Sequence, residues 1–360
     1  MGTVFDYLKW RGDISFAADP LNEVDNLILS EIVYFEFSEI MGNDKTITLG
    51  EAYSRNLIHS SSYNYATNAP VPLLKAVSET RRFKNVKVRD FINIIDPDKA
   101  IQFAAATFVL PDKNIFVAFR GTDNSLVGWR EDFNQSFLEE SPAQREAVKY
   151  LQRVLRKTRK SIIVGGHSKG GNLAIYASAF CGMSHRIDTV YSNDGPGFNQ
   201  HITDTEDYKN ILPKVILIMP DSSIVGILYN NKEDKILIQS SEYFGRKQHS
   251  PYTWLVEGAR FIRADRQTST SLYFDEAFNG WLDALSPEEK EHFVTTLFDI
   301  LDASGASTLA ELGDNKREAY NGIMKAIKEL SSASKDKFKE SLKKLAQVSR
   351  KSLLSDSKKG

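Results

Sequence analysis

Apolar positions change their spacing several times along the chain, and each change marks an element. Residues 21–40 carry Val24, Leu27, Leu29, Ile32, Val33 and Phe35 at helical spacing, interrupted by acids, which predicts an amphipathic helix. A second helix is expected near Leu73–Phe83. From Val86 the character shifts. Ile101–Leu110 and Ile115–Phe119 are apolar and rich in strand-forming residues, and Pro111, Asp112, Lys113 and Asn114 split them as a hairpin turn would. Ala143–Thr158 returns to helical alternation, Ser161–Val164 is a short buried strand, and Gly171–Phe180 is a helix. Short strands follow at Thr189–Ser192, Val215–Met219 and Lys235–Gln239, between clusters of Gly, Pro, Asn and Asp.

Strands alternating with helices predict an α/β class with a mostly parallel central sheet flanked by helices. After Ser286, where Ser-Pro-Glu-Glu signals a helix start, no strand pattern remains. The expected organisation is one domain over 1–285, with a helical N-terminal segment over 1–85, and a helical C-terminal appendage over 286–360. In that appendage lysine and arginine outnumber acids from Lys316 onward, while Phe338, Leu342, Leu345 and Leu353 fall close to one helical face. Two readings stay open for this end: a basic amphipathic helix resting on an anionic membrane surface, or a helix packed on the domain with its lysines in water.

The chemistry concentrates at Gly166-His167-Ser168-Lys169-Gly170-Gly171, directly after an apolar strand and directly before a helix. A serine on so sharp a turn needs small residues on both sides, and the turn lifts its hydroxyl above the sheet. Ser168 is thus the expected nucleophile, with the Lys169 amide at a helix N-terminus as an oxyanion donor. The base and its orienting acid should follow in the order Ser, Asp or Glu, His. Of the later histidines, His185 falls too early, His292 sits in a charged helix, and His201 precedes the preferred acid. His249, in a polar loop after the Lys235–Gln239 strand, is the expected base. Asp221, ending the Val215–Pro220 strand, is preferred as the acid over Asp194, which lies in an Asn-Asp-Gly turn and could simply shape it. A second oxyanion donor is expected at Thr122, through its amide or its hydroxyl.

These residues resemble the class 3 lipases. Val117 to Thr122 followed by Trp129 and Asp132 matches that family's strand and Arg-Gly-Thr/Ser loop, and Gly166 to Gly171 matches its Gly-His-Ser-x-Gly-Gly. More closely, the chain resembles the bacterial Mbeg1-like family, through Asp6 to Asp13 (Asp-Tyr-Leu-x-Trp-Arg-Gly-Asp), Asn22 to Asn26 (Asn-Glu-Val-Asp-Asn) and Gly-His-Ser-Lys-Gly-Gly-Asn, over roughly 4–260. The resemblance implies an α/β-hydrolase fold and a lipase-like esterase with Ser168, Asp221 and His249 as triad and Thr122 and Lys169 as oxyanion donors. The same machinery serves thioester cleavage or acyl transfer, and such a fold can also be kept as a non-catalytic binding module. Two departures are notable. Lys169 stands where lipases usually place Leu or Met, and a cation there would favour a substrate with a negative group. Residues 124–134 leave little room for a lid helix, which points to a soluble or short-chain ester.

Composition narrows the setting. A 41% hydrophobic content supports a sizeable core. A formal net charge of -1 lacks the basic footprint of a nucleic-acid binder. Cys181 is the single cysteine, so neither an internal disulfide nor a Cys-based zinc site is expected. The first residues lack the apolar core of a signal peptide, no stretch is apolar enough to cross a membrane, and the expectation is a cytoplasmic protein. A small-molecule ester is the expected partner, with no cofactor and no metal.

Overall fold

Strands pair in strict chain order across a single eight-stranded sheet in the computed structural model, which describes residues 1–59, 71–96, 98–99, 101–122, 126–135, 137–229, 233–243, 247–304 and 316–356. Three helices open the chain, α1 (Val4–Arg11), α2 (Glu23–Ile32) and α3 (Phe37–Met41), before β1 (Thr46–Thr48), α4 (Leu49–His59) and α5 (Val71–Ser78). Then come β2 (Lys87–Asp96), β3 (Ile101–Val109), β4 (Ile115–Phe119), α6 (Leu126–Asn134) and α7 (Pro142–Lys157). The centre is β5 (Ile162–His167), α8 (Lys169–Phe180) and β6 (Ile187–Asn193). α9 (Gln200–Thr203), α10 (Glu206–Ile211), β7 (Val215–Pro220) and β8 (Lys235–Ile238) complete the sheet. A small antiparallel pair, β9 (Val256–Glu257) and β10 (Arg260–Phe261), precedes α11 (Ser269–Asp283), α12 (Pro287–Asp302), α13 (Lys316–Glu329) and α14 (Ser332–Asp356).

β1 to β4 pair antiparallel, and β4 to β8 run parallel. The β3–β4 hairpin expected from sequence forms, with Val109 opposite Ile115. Strand β2, which sequence reading left unassigned, pairs along almost the whole of β3. Strands β3 and β4 are buried along nearly their full length, which explains their near-continuous apolar runs: both faces of the sheet are covered. One face carries α1 to α5, with Leu27, Leu74, Phe108 and Phe116 in a shared core. The other carries α7, α8 and α10, with Leu151, Leu173 and Tyr208 against Val117 and Val164.

The helix expected over 21–40 is two helices, α2 and α3, separated by a turn at Val33 to Glu36. The acids that interrupt its apolar face are buried as well. Asp25 is fully enclosed, where Tyr7 Oη donates to it at 2.6 Å and Arg82 Nε at 2.8 Å. Arg82, itself fully buried, also donates to the carbonyls of Ile14, Asp19 and Pro20 and lies over the Phe16 ring. Four backbone and side-chain acceptors around one guanidinium make this pair tenable away from water.

Helix α12 starts where Ser286 predicted it, with Ser286 and Glu289 capping each other's backbone. The helical C-terminal region is larger than the 286–360 expected, because α11 belongs to it: Trp281 and Leu282 of α11 share an apolar cluster with Phe293, Val294 and Phe298 of α12. Phe338 and Leu345 of α14 pack onto that cluster, Phe293 stacks on Phe338 at 4.9 Å, and Trp281 Nε1 donates to the Ser341 carbonyl. Phe338 and Leu345 of the α14 stripe thus pack on the domain, while Leu342 stays exposed. Among the described residues no helix is long and apolar enough to cross a membrane.

Candidate active site

Strand β5 ends at His167, and the chain reverses into α8 through Ser168, whose backbone is held at φ 58° and ψ -133°. A non-glycine residue there costs about 1–3 kcal/mol, and the surroundings must fix it. The glycines show how. A Cβ on Gly166 would lie 2.2 Å from the Gly170 carbonyl carbon, and one on Gly170 would lie 2.1 Å from the Phe119 carbonyl oxygen. Only glycines allow strand, turn and helix to approach this closely. The Ser168 amide donates to the Asn193 carbonyl of β6, and its side chain makes no capping bond to α8. The hydroxyl is thus presented at the C-terminal edge of the sheet, half-buried.

His249 lies at the same edge. Its Nδ1 faces Asp194 Oδ2 at 2.6 Å, and its ring lies against that of His167, with centroids 4.6 Å apart. Asp194 is fully buried in a strained turn at φ 51°, where its Oδ1 accepts from Ser223 Oγ at 2.5 Å and the Gly226 amide at 3.1 Å. The structure thus brings Asp194 to His249, where sequence order favoured Asp221. Asp221 does not meet His249. It accepts from Gln248 Nε2 at 3.1 Å instead, so it braces the residue before the histidine. The physical reason is sheet order. His167 is in register with Asn193 on the adjacent strand β6, which sets residue 194 level with residue 168. Asp221 ends β7, one strand further out, and strands stand about 4.8 Å apart. Both aspartates satisfy the order Ser, Asp, His, so chain order alone could not separate them.

With Nδ1–H donated to Asp194, the other nitrogen of His249 keeps its lone pair. Burial lowers the His249 pKa from its ordinary value and His167 adds to that, while contact with Asp194 opposes it. The loop around it is held by Gln248, whose side chain accepts from the Ser222 amide and donates to the Glu242 carbonyl, and by Trp254 Nε1 donating to the Gln248 carbonyl.

The Thr122 hydroxyl donates to Asp132 Oδ2 at 2.5 Å, so this side chain is committed to holding its own loop and its amide is the group left for a ligand. A Cβ on the neighbouring Gly121 would lie 2.3 Å from the Tyr34 hydroxyl and 3.1 Å from Ser168 Cβ, which puts Tyr34 beside the serine. Sequence reading missed Tyr34, because it follows α2 and no motif marks it.

Lys169 departs from expectation. Its ammonium is buried, 3.0 Å from Glu131 Oε2 and 3.0 Å from the Gln102 carbonyl, and turned away from the serine. Glu131 also accepts from the Gln102 and Ala143 amides. Paired this way, Lys169 ties α8 to β3 and α6 and offers no cation to a substrate. Its backbone N–H remains at the first position of α8, where no intrahelical acceptor exists. The stretch expected to leave little room for a lid helix folds as the short helix α6, which carries Glu131 and Asp132 and is held against α12 by Arg130 to Asp299 and Asp302 and by Phe133 against Phe298. Residues 124–125 lie outside the described residues.

A sheet of this order, with a strained serine turn on its central strand and an acid–histidine pair level with that turn, is a lipase-like α/β-hydrolase fold. The Mbeg1-like family matches residues 77–299, more than half of the chain, and the protein belongs to that family. No curated protein matches it. Among solved structures it is similar to M37 lipase, at 14% identity and a TM-score of 0.38 over 57% of this chain and 69% of that one. It is also similar to Rhizomucor miehei lipase in its propeptide complex, at 16% identity and a TM-score of 0.33 over 52% of this chain and 63% of that one.

Proposed function

We propose that the protein is a serine hydrolase that cleaves carboxylic esters, with Ser168 as nucleophile, His249 as base and Asp194 as the acid that orients it. The observation that carries this reading is the 2.6 Å contact between His249 Nδ1 and Asp194 Oδ2, level with the strained Ser168 turn. His249 Nε2 takes the Ser168 proton as Oγ attacks the ester carbonyl, and Asp194 stabilises the imidazolium that forms. The carbonyl oxygen becomes an oxyanion, met by the Lys169 and Thr122 amides. Collapse of the tetrahedral intermediate expels the alcohol, which takes its proton from His249 and leaves an acyl-Ser168. Water then attacks, its proton passing to His249, and the acid departs as the Ser168 hydroxyl is restored.

With its ammonium paired to Glu131, Lys169 offers no cation to an anionic substrate, and a neutral ester fits the reading better. Phe338 and Leu345 of α14 pack on the domain, so a contact with an anionic membrane surface would use the exposed side of that helix, which carries Leu342 and several lysines. The test is labelling with a fluorophosphonate, run beside p-nitrophenyl esters of increasing acyl length, on wild type and Ser168→Ala. Labelling and turnover that vanish in the variant support the reading. A folded wild-type protein that neither labels nor turns over any ester removes it.

A further inference from the structure

Directly beneath the Asp194–His249 pair lies a second acid–imidazole pair that the proposed reaction does not use. Glu31 of α2 is buried, and its Oε1 stands 3.1 Å from His167 Nδ1. His167 Nε2 lies 2.9 Å from the His249 carbonyl oxygen, which can only accept, so this nitrogen carries a proton. A neutral imidazole has a single N–H. The second nitrogen must then either accept from a protonated Glu31 or carry a proton of its own. Both ring nitrogens of His167 thus face acceptor oxygens, and because an ordinary carboxylic acid is a stronger acid than an ordinary imidazolium, the shared proton belongs on the imidazole.

Building on the triad proposed above, we propose that Glu31 and His167 form a buried ion pair that positions His249 and keeps its ring neutral. His167, as an imidazolium, fastens the His249 backbone through Nε2 and lies against its ring at 4.6 Å and 29°. A positive charge so placed opposes a second proton on His249, while Asp194 alone would favour one. Burial lowers the pKa of His167, but Glu31 and Asp194 outweigh it and hold it above the ordinary histidine value, while that of His249 falls below. Among the described residues, the charged and titratable groups around the two rings are Glu31 from α2, Asp194 after β6, and Tyr252 with its neighbour Tyr34; Lys169 is turned away to Glu131. His167 and Glu31 are positioning residues, acting through His249.

The balance predicts a sign. In Glu31→Gln, His167 loses the charge that keeps it protonated, so the nearest cation to His249 disappears along with a more distant anion. His249 then takes a proton at higher pH. In His167→Gln the cation goes while Glu31 stays, and the shift has the same direction.

The experiment follows the rate of fluorophosphonate labelling of Ser168 against pH for wild type, Glu31→Gln and His167→Gln, with imidazole nitrogen NMR of the wild-type protein near pH 7. The expected result is an acid limb displaced upward by about one pH unit in both variants, which is roughly tenfold slower labelling below the limb. NMR should show two protonated nitrogens on His167 and one on His249. Variants slowed equally at every pH, with the limb unmoved, or a bare nitrogen on His167, would overturn the proposal. The NMR reading stands even where a variant fails to fold. It also separates the two ideas: a wild-type protein that never labels defeats the proposed hydrolase, while the protonation of His167 still decides the pair.

Discussion

Helix α2 near the start of the chain and helix α14 near its end each present an apolar stripe, but they bury different things with it. α2 takes Asp25, Asn26, Ser30 and Glu31 into the interior together with Leu27, Ile28 and Leu29. Every one of those polar groups reaches across the structure: Asp25 to Arg82, Asn26 and Ser30 to Asn193, and Glu31 to His167. α14 contributes Phe338 and Leu345 to an apolar cluster, Ser341 is its buried polar residue among those described, and Lys337, Lys339 and Lys343 are exposed. The contrast shows where specificity resides. An apolar stripe on an outer helix can be satisfied by any complementary surface. A buried asparagine or carboxylate accepts one arrangement and costs heavily in any other. By that logic α2 belongs to the site although it lies far from Ser168 in sequence, while the C-terminal helices reach it through α6 and through Ser271 of α11, whose hydroxyl donates to the Ser223 carbonyl.

This comparison can be broken at its strongest point first. Arg82→Ala leaves Asp25 buried and unpaired and should cost about 3–5 kcal/mol in denaturant unfolding, enough to threaten the fold. A loss below 1 kcal/mol would mean that the α2 network is decorative. Trp281→Ala opens a hole in the C-terminal cluster and removes its bond to Ser341, at a cost of about 3 kcal/mol. Hydrogen exchange should then speed up in α11, α12 and α14 while α2 stays protected, and equal loss of protection in both regions would argue against their independence. Arg130→Ala removes ion pairs to the half-exposed Asp299 and Asp302 and should change stability by less than about 1 kcal/mol, an effect that salt diminishes further.

The same contrast separates what could be read from sequence and what could not. The strand, serine turn and helix from 162 to 180 were legible because every constraint on them is local: an apolar run, four glycines and a helix within a few residues. The acid was not. Asp194 and Asp221 both end strands and both stand between Ser168 and His249, and only the pairing of β5 with β6 places Asp194 at the histidine. Glu31 read only as one of the acids that interrupt an apolar face, because its partner lies on a strand far along the chain. A signal was present: an acid on the buried side of a strongly apolar helix needs a partner, and a histidine sits beside the serine. Lys169 misled for the opposite reason. Its neighbour in sequence is the serine, but its ammonium points to Glu131 on the other side of α8.

The most direct test of the central claim sets the two aspartates against each other by measuring the rate of fluorophosphonate labelling of Ser168 in Asp194→Asn and Asp221→Asn. If Asp194 fixes the tautomer of His249, its loss should slow labelling by about 10³–10⁴-fold, whereas Asp221→Asn, which only loosens Gln248, should stay within about tenfold of wild type. The reverse order, or two variants indistinguishable from wild type, would contradict the assignment of Asp194, His249 and Ser168 as one working unit.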